Sequence, residues 1–220
     1  MDNPGEALRA AAAVGPYFVW TPWSPDAGWR PIADLADPAV AAERVAAARQ
    51  TLITMFALPD AAVPDRVVAS VTFLGLASRL LSPALAAHAL TGVFPVADLW
   101  WQPTAGGPWP IAYRAARAGA PGLTAVEPVL ATFRAAFALS PKVLWGNVAS
   151  ALAGAAGMLP AGEPRTRAYG IVGDLLAGPP LRGMARLAPG GVLTRNNCCL
   201  YYRIPGGGIC GDCVLARPAR

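Results

Sequence analysis

Three features of the chain predict a mainly α-helical single domain with a small β-hairpin and a C-terminal cysteine-rich loop. Apolar residues recur at helical spacing through most of the 220 residues. Many of these segments open on an acid or hydroxyl residue before proline, which joins an N-cap to a pre-set first turn. Aromatic and β-branched residues dense enough for strands occur in two short runs. The length suits one domain over 1–220, with residues 193–215 as its cysteine-bearing segment.

In chain order, Pro16 to Trp29 holds Tyr17, Phe18, Trp20, Trp23 and Trp29 among prolines, a composition that suits neither a helix nor a central strand and reads as a strap across the core. Asp37-Pro38 opens a helix to about Leu58, with Val45, Ala48, Leu52 and Phe56 on one face. Pro64 opens a helix from Asp65 to Leu81 that is apolar nearly all round and therefore central. Ser82-Pro83 starts a short helix that Gly92 ends. It carries His88, the chain's one histidine, which reads as structural. Val96–Trp101 and Trp109–Tyr113 read as a hairpin joined through Thr104-Ala105-Gly106-Gly107. Thr124 and Glu127 have the spacing of a capping box for a helix on Val126, Val129, Phe133 and Phe137. Ser140-Pro141 begins a helix carrying Trp145 and Asn147, and Glu163-Pro164 begins another reaching Leu176. From Leu193 to Arg203 the chain reads as extended.

Hydrophobic content of 55% and mean hydropathy of +0.40 raise the question of a membrane span. The longest uncharged stretch, between Lys142 and Glu163, is interrupted by Asn147, Ser150 and Pro160 and is rich in Ala and Gly, so it reads as a closely packed buried helix. Met1 to Glu6 lacks the basic and apolar regions of a signal peptide. No membrane insertion and a cytoplasmic location are therefore expected. Residues 1–150 carry ten basic and ten acidic side chains, whereas residues 151–220 carry eight arginines against Glu163, Asp174 and Asp212, so the net charge of +5 sits on the last third. That excess contains no lysine and no tight basic run, and nucleic acid is not an expected partner.

All four cysteines fall in the run Asn196–Cys213, spaced C-C-x10-C-x2-C: Cys198, Cys199, Cys210 and Cys213. Adjacent α-carbons lie about 3.8 Å apart, inside the lower limit of ordinary disulfide geometry, which disfavours a Cys198–Cys199 bond. The rest of the chain shows no sign of secretion, so a disulfide staple is the weakest reading. Ahead of it stands metal ligation, as structural zinc or as an iron-sulfur cluster. Zinc sites usually offer two separated C-x2-4-C pairs, and Cys210 and Cys213 alone meet that rule. Neighbouring side chains diverge in extended backbone, so enlisting both Cys198 and Cys199 requires an unusual local conformation, which a dinuclear core accommodates more easily than one tetrahedral ion. Both metals stay open on spacing alone.

The run Asn197-Cys198-Cys199-Leu200-Tyr201-Tyr202-Arg203-Ile204-Pro205, the glycines Gly206 to Gly208 and the Cys210-Gly211-Asp212-Cys213 end resemble the C-terminal signature of the FhuF-type ferric-siderophore reductases. Leu144-Trp145-Gly146-Asn147 and Asp98-Leu99-Trp100-Trp101 are similar to stretches of that family more loosely. The resemblance implies that Cys198, Cys199, Cys210 and Cys213 hold a [2Fe-2S] cluster and that the loop is a cluster-binding loop. It also implies one-electron reduction of Fe(III) in imported, hydroxamate-type siderophores. A ferric siderophore and an external electron donor (a ferredoxin, a flavodoxin or a reductase) are then the expected partners. Arg195, Tyr201, Tyr202 and Arg203 are candidates for substrate docking or cluster tuning, and Gly206-Gly207-Gly208 for bringing backbone N–H groups to the sulfurs. A ferredoxin-like electron carrier and a zinc-stabilised binding module are the alternatives. The chain has no P-loop, no strand followed by G-x-G-x-x-G and no G-x-S-x-G, and one histidine with few paired acids makes hydrolytic acid-base machinery hard to assemble.

Overall fold

The computed structural model describes residues 3–104 and 108–216. The protein is mainly helical: α1 (Pro4–Ala12), α2 (Pro38–Phe56), α3 (Asp65–Thr91), α4 (Glu127–Ala136), α5 (Pro141–Met158) and α6 (Glu163–Ala177). Helix α3 is the axis, buried around most of its circumference, and α1, α2, α5 and α6 all pack on it. It is also the one described helix long and apolar enough to cross a membrane, with 78% of its most apolar window buried inside the protein. Its apolarity thus serves the core. Helix α5 packs on α3 and α6, and its buried residues include Ala149, Ala151, Ala153 and Ala155, small side chains that let neighbouring backbones approach closely.

The proline-led starts work as read at two helices. The Asp37 carboxylate accepts from the Ala39 N–H at 2.8 Å, and the Ser140 hydroxyl accepts from the Val143 N–H at 3.3 Å. The capping box does not form: α4 starts after Val126, with no side-chain cap. Helix α1 was not anticipated, although Asn3 before Pro4 caps it in the same manner, accepting from the Gly5 N–H at 2.9 Å.

The expected break at Ser82-Pro83 is absent, and α3 runs through it. A proline inside a helix removes the N–H that would bond four residues back, here to the Arg79 carbonyl. That carbonyl is occupied instead by the Trp20 indole N–H at 2.9 Å. The Arg79 side chain then holds the strap itself. Its Nε donates to the Trp109 carbonyl at 2.9 Å, and its two Nη donate to the Pro16 and Val19 carbonyls at 2.7 and 3.0 Å. The aromatic segment packs across the core as expected, and the orphaned carbonyl of a proline-broken turn is what it is fastened to.

The hairpin is longer than its composition suggested, β3 (Phe94–Trp101) pairing antiparallel with β4 (Ile111–Gly119) from Phe94↔Gly119 to Trp101↔Ile111. Of its expected connection, Ala105, Gly106 and Gly107 lie outside the described residues. The strap adds two edge strands, β1 (Thr21–Pro22) parallel to β4 and β2 (Arg30–Pro31) antiparallel to β3, giving the order β1-β4-β3-β2. Prolines confine both to the edges. A second ladder pairs β5 (Ala185–Leu187) with β6 (Leu193–Arg195). The extended reading of Leu193–Arg203 holds only as far as Arg195, beyond which the chain turns and forms a single 3-10 turn at Tyr201–Arg203. His88 packs edge-on against Phe94, ring centroids 6.0 Å apart, in keeping with a structural role.

Trp20→Phe leaves the Arg79 carbonyl buried without a partner and should cost about 1–3 kcal/mol. Adding Pro83→Ala supplies a helical N–H to the same carbonyl, so urea unfolding should show the double variant recovering a measurable part of the loss. Purely additive effects would contradict the pairing.

Candidate metal centre

The cysteine segment begins where the β5–β6 ladder ends and is clamped at both ends by backbone. The Asn196 N–H donates to the Met184 carbonyl at 2.9 Å, and the Arg195 N–H donates to the Asp212 carbonyl at 3.0 Å, bringing the C-x2-C end back beside the Cys-Cys end. Asn196 and Asn197 add side-chain bonds to the Gly183 and Met184 carbonyls at 3.0 and 3.2 Å.

The unusual backbone that adjacent cysteines require is found at Leu200, a non-glycine residue with φ +71°. Left-handed backbone is uncommon for a branched side chain and carries a steric cost. It turns the chain immediately after Cys199 so that the Leu200 N–H points back at Cys198 Sγ, 3.3 Å away. At the other end the Cys213 N–H donates to the Cys210 carbonyl at 3.1 Å, the tight turn expected of C-x2-C, and the Leu215 N–H lies 3.4 Å from Cys213 Sγ. Among the described residues the amides that reach cysteine sulfur are those of Leu200 and Leu215, and the Gly207 N–H donates to the Ile204 carbonyl at 2.9 Å. Cys199 Sγ and Cys210 Sγ are 3.4 Å apart, which joins the two halves of the motif. Cys199 and Cys213 are buried, while Cys198 and Cys210 are half-buried.

Beneath the loop, α3 and α5 supply a polar seam. The Asn147 side-chain amide donates to the Ser70 carbonyl at 2.9 Å and to its hydroxyl at 3.1 Å, and that hydroxyl donates to the Cys199 carbonyl at 2.7 Å. Ser150 of α5 hydrogen-bonds the Asp212 carboxylate. Arg195 is fully enclosed, its Nη2 donating to the Val143 carbonyl at 3.2 Å and to Asn197 Oδ1 at 3.0 Å, while Nε and Nη1 have no partner. Gly146 makes this packing geometrically allowed, because a Cβ there would stand 2.2 Å from Asn197 Oδ1 and 2.7 Å from Arg195 Nη2. Ser70, Gly146, Ser150 and Asp212 were not singled out as site residues. The available signal was a glycine and an asparagine side by side in the middle of an otherwise apolar helix.

Of the other expected site residues, Tyr201 packs against the core, whereas Tyr202 and Arg203 face solvent, the Arg203 guanidinium lying 5.8 Å from the Tyr202 ring centroid. Arg195, being enclosed, cannot contact a docked molecule. Asp98 to Trp101 lie in β3, whose Trp100 stacks on Trp23 with centroids 5.2 Å apart.

The donor set suits a thiolate-held group. Among the described residues no three His, Cys, Asp or Glu side chains are gathered closely enough to hold an ion, and the two halves of the motif meet through the Cys199–Cys210 sulfur pair. Two amides directed at sulfur and a buried guanidinium with free N–H groups favour added negative charge. Burial pushes the Cys198 thiol up, with the neighbouring thiols adding to it and the Leu200 amide and Arg195 opposing. Cys210 is pushed up strongly, first by burial and then by its hydrogen bonds with Cys199 and Asp212. Both are therefore neutral thiols near neutral pH until metal displaces their protons, so loading releases protons and is favoured as pH rises.

Residues 195–215 match the family model of the FhuF 2Fe-2S C-terminal domain. The segment is a FhuF-type [2Fe-2S] segment. The resemblance seen in the cysteine run is thereby borne out where it was most specific, and the choice between zinc and an iron-sulfur cluster falls to the [2Fe-2S] cluster. No curated protein matches the chain.

Serine at Cys198, Cys199, Cys210 or Cys213 should weaken or abolish the visible and electron paramagnetic resonance signals of the cluster while far-ultraviolet circular dichroism stays helical. Wild-type spectra from both Cys198→Ser and Cys199→Ser would rule out ligation by the four cysteines. Gly146→Ala should lower cluster content severalfold by displacing Asn197 and Arg195. Gly154→Ala on the same helix, where a Cβ meets nothing within 4 Å, should leave it unchanged. Iron per chain measured on the two variants distinguishes them.

Proposed function

We propose that the protein is a ferric-siderophore reductase, which takes one electron from an external donor and passes it to Fe(III) in a siderophore, releasing Fe(II). The observation that carries this reading is the placement of a [2Fe-2S] segment at the surface, with half-buried Cys198 and Cys210 beside exposed Tyr202, Arg203, Ile209 and Leu215. Cys198, Cys199, Cys210 and Cys213 are the cluster ligands. When bound, the cluster supplies reversible storage of one electron.

The residues of the chain provide the rest. The Leu200 and Leu215 amides and the enclosed Arg195 favour negative charge at the sulfurs. The seam through Ser70 and Asn147 fixes the loop on rigid helices, so little reorganisation accompanies electron transfer. Tyr202, Ile209 and Leu215 offer a small apolar contact surface, and Arg203 adds a fully exposed positive charge next to it. Hard hydroxamate oxygens hold Fe(III) far better than Fe(II), so one electron loosens the cage without cleaving a covalent bond of the ligand. A ferredoxin, a flavodoxin or a reductase is the class of donor that would refill the cluster, and the cytoplasm is the compartment in which an imported complex would be met.

Anaerobic stopped-flow mixing of the reduced protein with a ferric hydroxamate should reoxidise the cluster much faster than buffer does, with Fe(II) trapped by a chelating dye. Equal rates would overturn the reductase reading and leave an electron carrier. With an anionic ferric complex, Arg203→Gln should slow reoxidation a few-fold at low ionic strength and have no effect at high salt, where an exposed charge is screened.

A further inference from the structure

Gly75 stands out in the middle of α3. Its neighbours Phe73, Leu76 and Ala77 are fully buried, yet Gly75 is exposed, and a Cβ built on it would meet nothing within 4 Å. Glycine inside a helix destabilises it by about 1 kcal/mol relative to alanine, and here neither a positive φ nor a close neighbour requires it. What glycine leaves is room: a cavity of 380 Å³ between α2 and α3, within the range of ligand pockets, roughly 300–1,000 Å³. Ala48, Leu52 and Met55 of α2 and Val71, Thr72 and Gly75 of α3 form its walls, and Arg44, Arg79 and Trp109 close one end.

That end is positively charged and incompletely satisfied. Arg79 is 6% exposed and spends its hydrogen bonds on three neutral carbonyls, with no carboxylate among the described ion pairs. The Arg44 side chain is 10% exposed, and its one carboxylate partner is the exposed Glu43. Arg44 Nε and the Thr72 hydroxyl are buried and have no hydrogen-bond partner. Buried charges are normally paired, and buried donors are normally bonded. Arg44 also donates to the Thr104 carbonyl at 3.2 Å. A buried cation with no carboxylate, beside a second whose carboxylate partner lies at the surface, at one end of an apolar cleft calls for an oxyanion on a hydrocarbon body.

We propose that the α2–α3 cavity is a binding site for an anionic amphiphile, its oxyanion head between Arg44 and Arg79 and its hydrocarbon chain along Gly75 towards Met55. The site is separate from the cysteine loop and does not depend on the reductase reading.

Isothermal titration of the cluster-loaded protein with decanoate, decyl phosphate and decanol, each below its micelle concentration, tests it. Decanoate or decyl phosphate should bind one per chain and at least tenfold more tightly than decanol, and the tighter of the two identifies the head group as carboxylate or phosphate. Gly75→Leu places a side chain in the cavity and should weaken binding at least tenfold without changing the cluster spectrum. Ala48→Leu fills the cavity from the facing helix and should do the same, which keeps the test decisive if one variant fails to fold. Absence of binding by either anion, binding by decanol as tight as by the anions, or undiminished binding in a folded filled variant would overturn the proposal.

Discussion

The hydrogen-bonded chain from Asn147 to Ser70 to the Cys199 carbonyl is the interaction on which the rest of the molecule converges. It exists because α3 and α5 pack closely enough for two polar side chains deep in an apolar core to find each other. An unbonded buried polar group costs about 1–3 kcal/mol, so breaking the chain leaves several such groups at once. The metal-binding loop is therefore attached to the most buried part of the protein, and its cysteines inherit the rigidity of the helices below.

Helix α3 carries two such attachments. At Ser70 it meets the cysteine loop, and at Arg79 it meets the aromatic strap through the Pro16 and Val19 carbonyls and the Trp20 indole, and the approach to the second hairpin strand through the Trp109 carbonyl. The nine residue steps from one to the other span about 13 Å of helix. The sheet and the metal loop thus lie at separate points along one rod, neither leaning on the other. Gly146 has a related part, since the missing side chain in α5 is the space into which Asn197 and Arg195 are set.

Much of this was legible in the chain, and the illegible part has physical causes. Caps at Asp37 and Ser140 could be read because an N-cap is a local interaction between a side chain and an amide two or three residues on. The cysteine spacing could be read as thiolate ligation of a metal, but choosing a [2Fe-2S] cluster over zinc took the resemblance of the surrounding run. Pro83 misled because the partner that rescues its turn, Trp20, is sixty-three residues away and belongs to a segment without periodicity. Arg195 could be read as a candidate for docking or cluster tuning, and the sequence did not choose between the two. Its burial follows from Gly146, the Val143 carbonyl and Asn197, a set assembled only by folding. The left-handed turn at Leu200 could be inferred as a need, from two adjacent ligands, but its position could not.

The chemistry rests on the identity of the bound group, and that is where the decisive measurement lies. Freshly purified protein should be brown, contain two irons and two labile sulfides per chain, and lose visible absorption on one-electron reduction, as a [2Fe-2S] centre held by thiolates must. A colourless, redox-silent protein with one tightly held zinc and no sulfide would contradict it.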